Sequence, residues 1–279
     1  MKKILVPTDY SSCANRAFQI AQIIASKSQA EITLLNVLDY SSHITSVYDT
    51  GINEALLVDV FKKLSDDSTN KMNQLVHNSI MTKDIIKKIE IGIPRDVINN
   101  ELGKGVYDLV IMGTKGTSGI KEVFIGSNTE RIVRDSNVPV LSINEDIKEF
   151  NPQTIVYASD FEEKPKGGFD KVLEFANLFK SQIKLVRINT PNSFENTVRA
   201  ERLMEKFAEG NRLNNYTFEQ FDYEDFEAGL NRYVERVNGD VVVIGTHGRG
   251  GLKYFYYGGS KAEDVVNHFS VPVLTFKLH

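Results

Sequence analysis

The sequence predicts an α/β protein built as two tandem domains, each a five-stranded parallel sheet flanked by helices. Three observations carry this. Short apolar runs alternate with longer segments of helical periodicity along the whole chain. The runs are almost free of polar residues, as in Leu109-Val110-Ile111-Met112 and Val241-Val242-Val243-Ile244, which suits a parallel sheet covered on both faces. The third observation is that the order of elements occurs twice.

The repeat is legible residue by residue. Gly113-Thr-Lys-Gly116 recurs as Gly245-Thr-His-Gly248, Lys121 as Lys253, and Gly126-Ser127 as Gly259-Ser260. Val138-Pro139-Val140-Leu141 recurs as Val271-Pro272-Val273-Leu274, and Ile4-Leu5-Val6-Pro7-Thr8-Asp9-Tyr10 matches Ile155-Val156-Tyr157-Ala158-Ser159-Asp160-Phe161. The domains are placed at 1–146 and 152–279. The join from Glu145 to Gln153 is polar and contains a proline, as a linker should.

In the first half, strands are expected at Lys3–Thr8, Glu31–Leu38, Ile85–Ile91, Asp108–Met112 and Val138–Ile143. Ser11 or Ser12 caps a helix whose Ala17, Ile20, Ala21 and Ile24 share one face. A second helix spans Asn53 to Val76, with Leu56, Val60 and Leu64 on its stripe. A third starts at Pro94, a residue suited to the first helical turn, and runs to Leu102; a fourth covers Asn128 to Arg134. In the second half, strands are expected at Thr154–Ser159, Gln182–Ile188, Thr217–Phe221, Val241–Ile244 and Val271–Phe276. Its helices fall at Gly167–Phe179, Asn192–Glu209, Phe226–Val237 and Lys261–Asn267. Such alternation implies right-handed crossovers and an open sheet, which binds ligands outside the carboxyl ends of its strands.

Composition narrows the function. The 279 residues are 41% apolar and 25% charged, with a net charge of −4, which gives no electrostatic footprint for nucleic acid or an anionic membrane. No apolar run nears the roughly 18–20 residues of a membrane span. Pro7 and Asp9 end the first apolar run too early for a secretion signal. One cysteine excludes an internal disulfide framework, and the expected location is the cytoplasm. Cys13, near a helix start, admits a redox reading or that of a small residue at the start of a helix. The histidines, His43, His77, His247, His268 and His279, show no metal-ligand spacing, and no catalytic triad converges.

The chemistry-bearing stretch is Gly113-Thr-Lys-Gly116 at a strand end, followed by Gly126-Ser127-Asn128 at a helix start. Helix N-termini attract anions, and paired glycines leave backbone N–H groups accessible. There is no Walker loop and no dinucleotide fingerprint. The spacing G-x2-G-x9-G-S resembles the ATP-binding signature of the universal stress protein family, and the likeness covers nearly the whole chain in two copies. The resemblance implies Rossmann-like domains of the adenine nucleotide alpha hydrolase-like type. It implies binding of ATP or another adenine nucleotide, AMP and ADP included, with Mg²⁺ open when ATP is bound.

By that resemblance Pro7, Thr8 and Asp9 close over the adenosine, Asp9 accepting hydrogen bonds from ribose or adenine. The plainer reading of Asp9 is an acidic loop residue before a helix. Val37 offers main-chain contacts to the adenine edge, and Met112 either packs on the base or belongs to the core. Gly113, Lys115, Gly116, Gly126, Ser127 and Asn128 surround the phosphates, with Lys121 as a further cation. The second half departs from this pattern. Nine residues after Gly248 comes Gly258, then Gly259 in place of serine, so Gly259-Ser260 sits behind a one-residue insertion. Ala158 replaces the proline, and Tyr254-Phe255-Tyr256-Tyr257 fill the loop. Asp160, Ile188, Gly245, Gly248, Gly259 and Ser260 are its candidate site, and whether it binds nucleotide is open.

The leading expectation is a tandem stress protein that binds nucleotide rather than an efficient catalyst. A slow ATP hydrolase, an adenylate-transferring enzyme and a ligand-free association scaffold are the alternatives. Each half ends in a proline-led strand, a type confined to strand starts and edges. Universal stress proteins use this strand for dimer contact, so the halves should pair as an internal pseudo-dimer. A further homodimer of the whole chain stays open.

Overall fold

The computed structural model describes residues 1–39, 54–79, 85–114, 127–162, 168–246 and 269–278, with only the backbone for 54–57 and 127. In chain order the first half comprises β1 (Lys3–Pro7), α1 (Ser12–Ser28), β2 (Glu31–Leu38), α2 (Glu54–His77), β3 (Ile85–Ile91), α3 (Pro94–Leu102), β4 (Leu109–Gly113), α4 (Ser127–Asp135) and β5 (Val140–Ile143). The second comprises β6 (Thr154–Ala158), α5 (Gly168–Phe179), β7 (Gln182–Asn189), α6 (Thr197–Gly210), β8 (Tyr216–Asp222), α7 (Phe226–Val237), β9 (Val241–Thr246) and β10 (Val273–Lys277). The helix expected at Lys261–Asn267 lies outside the described residues.

The ten strands among the described residues form one sheet in the order β3-β2-β1-β4-β5-β10-β9-β6-β7-β8. Every pairing is parallel except β5 with β10, which run antiparallel with Leu141 opposite Leu274. The two proline-led strands meet, so neither is left as an open edge. Both begin two residues later than the sequence suggests. Pro139 and Pro272 have no N–H to give, and each contributes only its carbonyl, to Val110 N at 2.9 Å and Val242 N at 3.0 Å.

Side chains alternate across the strands, and the sheet is covered on both faces. One core cluster runs through both halves, uniting Ala17, Ile20 and Ile24 of α1 with Met72 of α2, Phe169 and Phe175 of α5 and Met204 of α6. The opposite face divides, with α3 and α4 over the first half and α7 over the second. The join is less of a free linker than its polarity suggests. Phe150 is buried with its ring edge-on to Phe179 at 5.5 Å. Lys171 of α5 reaches across to Asp108 at 2.5 Å, and the amino terminus pairs with Glu174.

Two helices differ from expectation for identifiable reasons. On α2, Val60 is exposed, and the inward stripe is Phe61, Leu64, Ser68 and Met72. The apolar residues near its start fit two stripes, and only this one continues to Leu75 and Val76. The segment expected to be helical from Asn192 instead makes one 3₁₀ turn, Pro191–Ser193. The α-helix begins only after Asn196, whose side chain caps Arg199 N at 2.9 Å.

Candidate functional site

The two halves differ where β1 meets its non-sequential neighbour. β1 extends to Pro7 and β4 to Gly113, yet they pair only at Ile4↔Leu109 and Leu5↔Val110. Thr8 N donates to Leu35 of β2 at 2.8 Å, so by alternation the Pro7 nitrogen faces β4. It carries no hydrogen, and the ladder stops there. β6 and β9 pair over four positions, up to Ala158↔Ile244 at the end of β6. In the first half the hydrogen-bond ladder thus ends before the carboxyl ends of β1 and β4, at the switch point of the strand order, where sheets of this kind have their crevice.

The crevice walls follow from local sequence. Thr8 is buried; Asp9 is exposed, and its Oδ1 accepts Ser11 N at 3.1 Å and Ser11 Oγ at 2.6 Å. Ser11 in turn caps α1 through Ala14 N. The structure thus gives Asp9 the helix-entry role of the plainer reading, at the rim of the crevice. Tyr10 adopts φ 64°, an uncommon left-handed conformation for a bulky residue, and its N–H is held by Thr8 Oγ1 at 3.1 Å. Its hydroxyl bonds Ser68, Ser68 Oγ donates to Asn36 Oδ1 at 2.8 Å, and Asn36 Nδ2 donates to the Thr8 carbonyl at 2.7 Å. Burial raises the Tyr10 phenol above its ordinary value, so it stays a neutral donor.

Val37 sits at the end of β2, half-buried, and alternation turns its main-chain groups toward the side on which β1 has stopped. Met112 is a core residue, packed with Leu5, Leu35, Ile132 and Val140. Gly113 has a structural duty the sequence did not reveal. A Cβ there would lie 2.8 Å from the Cys13 carbonyl carbon and 2.9 Å from Ala14 N, so only glycine lets β4 run against the first turn of α1. Its carbonyl accepts Thr129 Oγ1 at 2.8 Å, which fixes the first turn of α4 beside the crevice. Ser127 and Asn128 open that helix. Lys115, Gly116, Lys121 and Gly126 lie outside the described residues. Cys13 is buried and its thiol donates to the Ile143 carbonyl at 2.9 Å, as a small packed residue does.

In the second half the turn after the first strand is reproduced. Phe161 has φ 61° and its N–H is held by Ser159 Oγ at 3.1 Å, while Asp160 Oδ1 accepts Glu162 N at 3.0 Å. The surroundings change. Tyr157 replaces Val6 and is buried among Phe161, Phe169, Phe207 and Phe276. Burial lifts its phenol far above the ordinary range. Ile188 is core, and a Cβ on Gly245 would lie nearest the Leu278 side chain, at 2.7 Å. Gly248, Gly259, Ser260, His247 and the four loop aromatics lie outside the described residues. Sequence reading missed the Tyr10–Ser68–Asn36 network and Arg187, which stands where the first half has Asn36. The available signal was a polar residue at an inward position of an otherwise apolar strand.

Among the described residues no three His, Cys, Asp or Glu side chains gather as a metal site would need. No helix among them is long and apolar enough to cross a membrane.

Fold and crevice together define a duplicated open-sheet α/β protein of the kind that takes a ligand at the carboxyl edge of its strands. Comparison with known proteins gives the family. The model of the universal stress protein family matches twice, at residues 1–144 and 152–277. Universal stress protein MJ0577 of Methanocaldococcus jannaschii is 32% identical over 159 residues, which are 51% of this chain and 94% of that one. A universal stress protein crystal structure from Archaeoglobus fulgidus superposes with a TM-score of 0.70 at 19% identity, covering 99% of this chain and 98% of that one, and shares the fold. The chain belongs to the universal stress protein family, in a tandem form.

Proposed function

We propose that the first half binds ATP or a related adenine nucleotide, AMP or ADP included. In this reading the chain acts in a cytoplasmic stress response or in signalling, as a binding protein rather than an efficient catalyst. The observation that carries it is the end of the β1–β4 ladder at Leu5 and Val110, which leaves main-chain groups unpaired at the switch point. The open main-chain edge at Val37 supports adenine recognition there, and Asp9 at the rim is within the same wall. The first turn of α4, with Ser127 and Asn128, supplies N–H groups for phosphate oxygens, alongside Gly113, Lys115, Gly116 and Gly126. Mg²⁺ would enter with ATP rather than through a dedicated cage of side chains.

The second half, with β6 and β9 paired to the end of β6, is the weaker nucleotide site. Asp160, Gly245, Gly248, Gly259 and Ser260 then preserve a backbone plan more than a ligand. The test is to purify the chain without added nucleotide and identify what is released on denaturation. An adenine nucleotide at close to one per chain is expected. A chain that carries none, and takes up none when ATP is supplied, contradicts the reading.

A further inference from the structure

Between the last turn of α3, the end of α4 and the end of β10 lies a cavity of about 390 Å³, within the size range of small-molecule sites. It sits on the seam of the two halves, at the opposite end of α4 from Ser127 and Asn128. Asn99, Arg134, Asp135 and Asn137 of the first half line it, together with Lys277 of the second. Two cations thus stand against one acid. That acid is already held, with Asp135 Oδ1 at 3.3 Å from Arg134 Nε. Lys277 is half-buried and has no acid of its own among the described residues; its Nζ donates to the Asn137 amide oxygen at 2.7 Å. That bond uses one of the three ammonium hydrogens. The last carbonyls of α3 are taken by the N–H groups of Gly103, Lys104 and Gly105, so this helix end presents little negative charge to the cavity.

We infer that this cavity is a binding site for a small organic anion, a carboxylate or a phosphate monoester. The Lys277–Asn137 bond sets an ammonium next to an amide N–H donor, and charge-assisted bonds from such donors are the strong ones for an oxyanion. Leu102 and Val138 supply apolar wall for the organic body of the ligand. Because Lys277 comes from the second half, the site requires the pairing of β5 with β10. The corresponding place in the second half is built differently. The repeat that aligns Val138-Pro139 with Val271-Pro272 puts Phe269 where Ser136 stands, Ser270 for Asn137 and Asn144 for Lys277. Phe269 is buried, and Asn144 Nδ2 is spent on the Phe269 and Ser270 carbonyls, at 3.3 and 2.9 Å. A ring and a committed amide there replace a hydroxyl and a cation. The inference does not depend on nucleotide binding in the first half.

The test uses the full chain labelled with nitrogen-15, titrated with succinate and, separately, with glycerol 3-phosphate, at an ionic strength held constant with sodium chloride. The amide resonances of Gly103, Ser136, Asn137 and Val138 are expected to move and saturate with at least one of the two. The tighter-binding probe identifies the ligand as a carboxylate or a phosphate ester. Lys277→Asn, which installs the residue of the second half, should weaken that binding about tenfold. If that variant does not fold, the place and saturation of the wild-type shifts decide alone. Movement confined to residues around Gly113 and Asn128 would put the anion at the other end of α4 and overturn the inference. So would the absence of saturation with both probes, or undiminished binding by a folded Lys277→Asn chain.

Discussion

At the end of its first strand the first half carries Pro7, and its ladder to β4 stops at Leu5; the second carries Ala158, and its ladder to β9 runs to the strand end. Behind that strand the first half has Val6 and a saturated Asn36, the second Tyr157 in an aromatic cluster and an unsaturated Arg187. The turn between is the same in both, down to the left-handed aromatic at Tyr10 and Phe161. Duplication has kept the backbone scaffold while the residues at and behind the strand ends have diverged. Fold and site are therefore separable here: the scaffold sets where a ligand goes, and a few substitutions decide which ligand, if any.

The largest contrast should come from the two strand-end glycines. Gly113→Ala drives a Cβ into backbone atoms of α1, whereas the nearest atoms to a Cβ at Gly245 belong to the flexible Leu278 side chain. We expect a loss of about 3 kcal/mol for the first and about 1 kcal/mol for the second, read from denaturant unfolding. Equal losses would show that the β4–α1 approach is not tighter than its counterpart. It also means that Gly113 variants report on stability before they report on ligand binding.

A contrast of similar size is expected in acid. Glu101 of α3 is buried among Lys88, Lys104 and Tyr107, each within 2.6 Å. Burial by itself would raise this carboxyl. The hydrogen bonds from Lys104, Lys88 and Tyr107 outweigh it and hold the pKa at about 2, below the ordinary 4.5. A depressed acid contributes stability fully above pH 4.5 and loses it as the pH falls toward 2. The contribution is on the order of 3 kcal/mol, so Glu101→Gln should flatten the acid limb of the stability curve. At the corresponding edge of the second half, Glu219 and Arg236 make a solvent-exposed pair of reversed order. Glu219→Gln should cost about 1 kcal/mol or less. A flat acid profile in the wild type would remove the Glu101 argument.

A smaller effect should follow from restoring a ladder donor. Pro7→Ala supplies the N–H that Ala158 has, and β1 can then pair further along β4. ATP affinity is expected to fall about tenfold, close to 1.4 kcal/mol, with the fold intact. Unchanged affinity would detach the crevice from the proline.

Much of this was legible in the chain itself, and the reasons are specific. β2, β3, α3 and α7 occupy the residues that periodicity, Pro94 and the turn residues mark. The pairing of β5 with β10 follows from two proline-led strands that each needed a partner. The unread parts depend on contacts between distant segments. Gly113 looks like a loop glycine in sequence, and only the approach of Cys13 and Ala14, a hundred residues away in the chain, gives it its packing role. The inward stripe of α2 was ambiguous because Val60 and Phe61 adjoin, and the sheet beneath selects one. Arg187 was overlooked because one cation in a strand is normally a solvated edge residue; here it is buried and donates to the Asp160 carbonyl of the turn after β6.

The claim that the halves have diverged in ligand binding is tested most directly by calorimetric titration of the nucleotide-free full chain with ATP. One site per chain is expected, weakened strongly by Asp9→Ala and little by Asp160→Ala. Two equivalent sites, or a single site lost with Asp160→Ala and retained with Asp9→Ala, would contradict the assignment of the nucleotide to the first half.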